Sequence, residues 1–333
     1  MKTYTVAILG ATGAVGQTMI QVLQARNFPV GKLIPLASSR STGGYIHFRG
    51  QQLPVLEATP ESFAGVDLVL GAAENEIALA FAPAIAKAGA IFVDNSSAFR
   101  MDPAVPLIVP EVNGADVQLH RGILANPNCT TIITLTAMQA LRSLAPVKSM
   151  IASTYQAVSG AGIQGPVELN TQLQSLLEGK PVQAQVFPHQ IAYNLIPHIG
   201  AQQEAGYTAE EMKLHYEGRK ILHQPDLAVS CTCVRVPVVR CHSISLRITF
   251  ARPVSVEAAR ATIAAAPGCR LLDDPGAGLY PMPLDATDQD MVYVGRIRQD
   301  LTDPNSLHLW CCGDQIRKGA ATNAVQIAQL LFP

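Results

Sequence analysis

The chain has 333 residues, 48% of them hydrophobic and 15% charged, with a formal net charge of -1; this length favours two domains, since single cores stop growing at roughly 250–300 residues. Few aromatics and no basic block argue against a nucleic-acid partner, and no apolar run approaches the roughly 18 residues of a membrane helix. Seven scattered cysteines without CxxC spacing argue against a disulfide framework or a zinc site and fit a reducing, cytoplasmic setting.

Residues 5–9 form a buried-strand pattern, and residues 14–25 carry helical apolar spacing. Strands are predicted over 33–37 and 66–73, an Ala-rich helix over 76–88, and further strands over 91–95 and 107–109. Strands alternating with helices of this length imply βαβ units and a parallel sheet. The texture changes after Cys129. A helix over 130–144 leads to a strand over 149–157. Thr208 and Glu211 make a capping-box pattern opening a helix to about Leu222. Segments 229–239, 242–250, 291–298 and 306–312 read as a sheet with one covered face. Residues 318–331 form a last amphipathic helix whose stripe of Ala321, Val325, Ala328 and Leu331 could pack back on the first domain. Residues 179–207 read as loop-rich, and His189 with His198 lacks a third ligand, so no metal site is expected.

Gly10, Gly13 and Gly16 lie between the first strand and its helix. Small residues there let the backbone approach a pyrophosphate, which free N–H groups and the helix dipole favour. The second strand ends in Ser38-Ser39-Arg40-Ser41. An NAD site expects a carboxylate at this point, whereas a cation and hydroxyls suit the 2′-phosphate of NADP.

Of the seven cysteines, only Cys129, in Asn126-Pro127-Asn128-Cys129, stands at a helix start, where free N–H groups stabilise a thiolate. The others fall in strand or apolar patterns and read as packing. Arg235, in an otherwise apolar strand, is costly to bury unless it meets an anion, whether a substrate carboxylate or a structural one. His242, also in a strand pattern, is one of eight histidines that sequence alone does not single out.

At this point a family resemblance emerges. The strings at residues 10–16, 95–100, 109–113, 126–130, 154–162 and 318–321, in this order, make the chain similar to aspartate-semialdehyde dehydrogenases over nearly its whole length. The resemblance implies an α/β fold: a Rossmann-like parallel-sheet NADP-binding domain (1–128 plus 318–333) and an α+β catalytic and dimerisation domain (129–317), with the final helix returning to the first. It implies Cys129 as nucleophile, Gln156 as a residue orienting the acyl group and His242 as general acid/base. Arg235 would clamp the substrate α-carboxylate, Arg100 with Asn128 and Lys213 the phosphate, and Glu210 the amino group. Gly10, Thr12, Gly13, Ala14, Val15, Arg40, Ser41, Ser159, Gly160 and Asn323 would contact NADP. The implied reaction is NADPH-dependent reduction of L-aspartyl-4-phosphate, through a cysteine thioester, to aspartate semialdehyde and phosphate. A homodimer is expected, with a tetramer as a further option. The competing readings are N-acetyl-γ-glutamyl-phosphate reductase, which typically carries Gly-Cys-Tyr rather than Asn128-Cys129-Thr130, and a catalytically silent NADP-binding paralogue.

Overall fold

In the computed structural model, which describes residues 2–332, Tyr4–Leu9 (β1) lies inside a six-stranded parallel sheet. Val6, Ala7 and Ile8 are fully buried, as a strand covered on both faces requires. Ala14–Ala25 (α1) follows, then Val30–Ala37 (β2). The hairpin Tyr45–Phe48 (β3) and Gln51–Pro54 (β4) precedes Leu56–Glu57 (β5), which pairs with the end of β2. Leu68–Gly71 (β6), Asn75–Lys87 (α2) and Ile91–Asp94 (β7) continue the alternation. After the short helix Pro110–Asn113 (α3), Ile123–Ala125 (β8) completes the order β5-β2-β1-β6-β7-β8. The strand order reverses at β1, so its carboxyl end is the switch point where such sheets take ligands.

The strand predicted over 107–109 is reduced to one bridge, Leu107 to Ala125. Pro106 offers no N–H, and Pro110 opens α3 at once. The edge strand therefore forms at β8, which the sequence pattern had not indicated.

Two compact units result, one running to Asn128 and resuming at Ala320, the other spanning Cys129–Gly319. The second contains Cys129–Arg142 (α4), Val147–Gln156 (β9), Gln164–Leu177 (α5), Ala209–Leu222 (α6), Ala228–Arg235 (β10), His242–Phe250 (β11) and Val256–Ala265 (α7). Cys269–Leu271 (β12), Pro283–Ala286 (α8), Val292–Gln299 (β13) and Ser306–Gly313 (β14) follow. The sheet order is β10-β9-β11-β14-β13-β12, with β9 parallel to β10 and β11 antiparallel to both β9 and β14. One face is covered: along β11, Ile244, Leu246, Ile248 and Phe250 are fully buried while Ser245, Arg247 and Thr249 alternate on the more open side. The capping box predicted at α6 is formed, with Thr208 N–H donating to Glu211 Oε2 at 2.8 Å and Glu211 N–H to Thr208 Oγ1 at 3.4 Å.

The single terminal helix expected over 318–331 begins instead as a wider, π-wound turn at Arg317–Thr322, in which Gly319 N–H reaches back to Asp314 O. Asn323–Leu331 (α9) then winds normally. Ala321, Val325 and Ala328 are fully buried in the first unit's core beside Ile8, Met19, Leu23 and Phe28, and Leu331 packs against them. Burying side chains of Leu or Phe size contributes roughly 1.5–3 kcal/mol each, so this returning segment is an integral part of that core.

Candidate active site

The second unit brings its polar residues together at one end of the sheet. Gln156 closes β9 and Arg235 closes β10, and the parallel register sets them side by side. β11 runs the other way, so its first residue, His242, arrives at the same end. All three side chains are buried.

His242 is fully buried, and its Nδ1 accepts from Ala157 N–H at 3.1 Å. Burial, reinforced by the neighbouring Arg235 charge and opposed by Glu210, pushes its pKa down to about 3, so the ring is neutral near pH 7. Gln156 Nε2 donates to Glu210 Oε1 at 3.1 Å and lies 3.5 Å from His242 Nε2, while Thr154 Oγ1 donates to Gln156 Oε1 at 3.0 Å. Glu210 Oε2 pairs with Lys213 at 2.8 Å, three residues along α6. This one carboxylate thus organises an amide and an ammonium.

Arg235 donates from NH1 to Ala157 O at 2.7 Å, and its guanidinium stands over the Phe187 ring at 5.8 Å. Burial lowers its pKa, opposed by the negative charge of Glu210 and of the Cys129 sulfur when ionised. The 179–207 segment, without a role from its sequence, packs here. Ile196 exchanges both main-chain hydrogen bonds with Arg235, and Phe187, Ile191 and Ile196 join Val158 and Leu169 in a small core. Beside them, Ser159 Oγ donates to Val239 O and accepts from Gln315 Nε2, both at 2.5 Å. A Cβ on Gly160 would meet Arg235 NH1 at 2.8 Å and His242 Cε1 at 3.2 Å, so glycine lets the chain pass close to both.

Cys129 is the first residue of α4 and is half-buried, whereas the other six cysteines are buried. Its position at a helix mouth and the nearby Arg235 charge both favour an anionic sulfur. Burial drives thiols such as Cys311 the opposite way, well above the usual range.

In the first unit, Gly10 follows β1 with φ +91°, and a Cβ there would stand 2.8 Å from Ala72 O. A Cβ on Gly16 would run into Gly10 O. Gly13 starts α1 without a side-chain cap, and no acidic residue lies in the first turn, which includes Ala14 and Val15. Arg40 and Ser41 are exposed in the turn after β2, a strand end without a carboxylate. These features fit a dinucleotide carrying a 2′-phosphate. Arg100 is buried and donates to Asn95 O at 2.8 Å. Near it, burial raises the Asp94 pKa, countered by hydrogen bonds from Ser96. Asn128 is buried next to Cys129 in sequence. Asn323 is fully buried, with its amide donating to Ile108 O and Asn126 Oδ1, so it braces the returning helix from within.

The chain matches the semialdehyde dehydrogenase NAD binding domain over residues 5–120 and the semialdehyde dehydrogenase dimerisation domain over residues 138–318. It is 51% identical to an aspartate-semialdehyde dehydrogenase of Synechocystis over 98% of this chain and 96% of that protein. The chain belongs to the aspartate-semialdehyde dehydrogenase family. A structure of aspartate semialdehyde dehydrogenase II from Vibrio cholerae, complexed with ASA, superposes with a TM-score of 0.97 at 41% identity, covering 99% of this chain and 98% of that one. A Candida albicans aspartate semialdehyde dehydrogenase with NADP superposes with a TM-score of 0.77 at 25% identity, covering 99% and 98%.

Within this aspartate-semialdehyde dehydrogenase fold, Gln156, Glu210, Lys213, Arg235 and His242 join one network with Gly160 packed against it, and Cys129 lies close enough for its charge to be felt at Arg235. Gly10, Thr12 and Gly13 to Val15 line the turn after β1 in the first unit. Sequence reasoning missed three contributors. Gln315 joins Ser159 to the Cys241 N–H, which it accepts at 2.9 Å. Ala157 serves through its main chain, and Gly319 abuts Cys129. Gly319 lies in the 318–321 string, which stood out only through the family resemblance, and Gln315 precedes that string; Ala157 carries no side-chain signal at all. Among the described residues, no group of three or more His, Cys, Asp or Glu side chains is arranged to hold a metal, and no helix is long and apolar enough to cross a membrane.

Proposed function

We propose that this chain is an NADP-dependent aspartate-semialdehyde dehydrogenase that converts L-aspartyl-4-phosphate to L-aspartate 4-semialdehyde and phosphate, a step toward diaminopimelate, lysine, threonine and methionine. The observation that carries the reading is the accessible Cys129 thiol at the mouth of α4, beside a sheet end furnished with Gln156, Arg235 and His242. Cys129 sulfur attacks the acyl carbon and displaces phosphate, leaving a thioester. The glycine turn, Arg40, Ser41, Ser159, Gly160 and Asn323 would hold NADPH, which would supply the hydride. Arg235, with one donor anchored on Ala157 O, offers its planar fork to the α-carboxylate. Glu210 meets the amino group, and Lys213, Arg100 and Asn128 receive the phosphate.

The division of labour follows the two units: residues 1–128 with 318–333 bind the dinucleotide, and residues 129–317 carry catalysis and self-association. A homodimer is the assembly we favour, with pairs of dimers as a further step. The open sheet face supports it, for Ile151 is exposed there and Tyr155 packs on Trp310. All seven cysteines are thiols, in keeping with a cytoplasmic setting.

The test is phosphate-dependent oxidation of aspartate semialdehyde with NADP, run beside the N-acetyl-glutamate analogue, on the native protein and on Cys129→Ala. The native protein should turn over the aspartyl compound and accumulate an acyl group on Cys129 detectable by mass spectrometry. Full activity in Cys129→Ala would end the covalent scheme, and preference for the N-acetylated aldehyde would reassign the substrate.

A further inference from the structure

Asp314 follows β14 directly, and its side chain is fully buried. Four donors converge on it. Oδ1 accepts from the N–H groups of Ile316 at 2.9 Å and Arg317 at 3.0 Å. Oδ2 accepts from Asp288 N–H at 2.8 Å and stands 2.8 Å from Arg240 Nε in an ion pair. A carboxylate has about four lone-pair sites, so this one is saturated, as a buried charge must be. The donors come from three separate segments: the approach to β11, the loop after α8 and the turn after β14. One side chain clips all three.

The clip holds backbone that would not rest there by itself. Cys241 at φ +74° and Asp288 at φ +61° are both left-handed without being glycine. Such residues persist where their surroundings over-determine them, and they gather at functional sites. Here the N–H of Asp288 is fixed by Asp314, and that of Cys241 by Gln315, the next residue along. Arg240 also reaches Asp288 Oδ1 at 2.9 Å, which ties the two carboxylates together. Asp314 has a further hold on the nucleophile's surroundings, for its main-chain O accepts from Gly319 N–H at 3.0 Å. Gly319 is the residue that abuts Cys129, where an added Cβ would stand 2.9 Å from Cys129 Cβ. The turn behind the thiol is thus held at its start by the Asp314 side chain and at its end by the Asp314 main chain.

We propose that Asp314 is a positioning residue for the reaction: it pins the turn that Gly319 presses against Cys129, and so sets where the thiol stands at the mouth of α4, with Arg240 as its counter-charge. The inference rests on Cys129 as the nucleophile. No bond forms or breaks at Asp314, whose effect reaches the sulfur through packing alone. An amide cannot take its place. Whichever way an asparagine turned, its NH2 would face either two peptide N–H groups or a peptide N–H and a guanidinium, donor against donor in a buried setting.

The experiment reads Cys129 itself. Iodoacetamide labelling of Cys129, followed by mass spectrometry as pH is raised, gives the titration midpoint of the thiol without any turnover. Asp314→Asn should move that midpoint up toward the ordinary thiol value of about 8.5. It should also lower kcat about tenfold or more, with KM for aspartate semialdehyde little changed because Arg235 and Glu210 stay in place. Arg240→Ala alters a partly exposed side chain and should fold even if Asp314→Asn does not. It should move both readouts the same way by a smaller factor, and Arg240→Lys should restore part of the loss. Because Asp314 acts through Gly319, the double variant Asp314→Asn with Gly319→Ala should lose less kcat than the product of the single losses, by at least about threefold. A carboxylate that only stabilised the fold would lower Tm and leave labelling and kcat native in both Asp314→Asn and Arg240→Ala; that result, or a fully multiplicative double variant, overturns the proposal. A shifted midpoint with native turnover would keep the clip and instead remove Cys129 from the chemistry.

Discussion

A methyl group on Gly319 would stand 2.9 Å from Cys129 Cβ and 3.3 Å from its Cα. The π-wound turn at Arg317–Thr322 therefore buttresses the start of α4, and only a glycine lets it come so near. Gly319→Ala must push the sulfur-bearing residue by a few tenths of an ångström. Misplacement on the 1 Å scale can cost about 10²-fold, so this smaller shift should lower kcat roughly tenfold while leaving the circular dichroism spectrum intact. Iodoacetamide labelling of Cys129 should change in parallel. A variant with native labelling and native turnover would show that the turn yields freely.

Glu210 is shared between Gln156 and Lys213. Glu210→Ala releases both, and losing hydrogen bonds to a charged partner costs about 1.5–3 kcal/mol each. kcat/KM should fall by at least about tenfold, with KM for phosphate rising in the oxidative direction as Lys213 loses its anchor. Glu210→Gln keeps the length and one acceptor, so it should fall between native and alanine. If Glu210→Gln proved worse than alanine, the carboxylate would not be serving as an organiser.

The buried His242 ring also makes a prediction about stability and pH. Its folded pKa, about 3, lies below the ordinary value of 6.5. Between those two values the unfolded chain binds a proton that the folded protein does not. Stability is therefore fully present above about pH 6.5 and is lost as pH falls toward 3, by about 1.4 kcal/mol per pH unit within that window. Denaturant titrations at several pH values should show this slope in the native protein, shallower by about that amount in His242→Gln. Equal slopes would mean that the imidazole can acquire its proton without unfolding.

How much of this was legible beforehand differs from element to element. β1 and α1 were plain because continuous apolar runs and helical spacing have different periods, and the bounds predicted for α1 coincide with those observed. The β3–β4 hairpin was not, because Arg49 and Gly50 make its turn with both φ values positive, a conformation usually signalled by Asn-Gly or Asp-Gly. α5 was hidden by Gly165 and Pro166 in its first turn, which read as loop signals although proline is tolerated there. At the site, Cys129 was visible through its helix-start context. His242 was not, since nothing local separates it from seven other histidines. What selects it is the antiparallel return of β11 to the ends of β9 and β10, a long-range pairing that no window of sequence contains.

The exposed turn at Ser39–Ser41 carries Arg40 at the carboxyl end of β2. If it recognises a 2′-phosphate, Arg40→Asp replaces attraction by repulsion. KM for NADPH should rise by about one to two orders of magnitude, the scale of a charge-assisted phosphate contact at 1.5–3 kcal/mol, while KM for NADH moves little. Steady-state kinetics with both cofactors decides it, and equal changes would remove Arg40 from the cofactor site.

The segment that covers Arg235 depends on two buried polar residues of α5. Glu168 Oε2 accepts from the N–H groups of Gln185 and Val186, and Gln172 Oε1 accepts from those of Ile191 at 2.9 Å and Ala192 at 3.0 Å. Glu168 Oε1 also accepts from Gln172 Nε2 at 3.0 Å, so the two side chains hold each other in place. Four amides with no helix or strand to pair with are satisfied in this way, which is what permits Phe187 and Ile196 to lie against Arg235. Glu168→Ala leaves its amides without their carboxylate, at a cost of about 1–3 kcal/mol for each buried group left unsatisfied. The whole protein should lose a few kcal/mol at most, because the sheet is untouched. Amide hydrogen exchange across residues 183–196 should accelerate far more than exchange in β9 or β11, and KM for aspartate semialdehyde should rise with it as Arg235 loses its cover. Unchanged exchange in that segment would show that its apolar contacts alone hold it down.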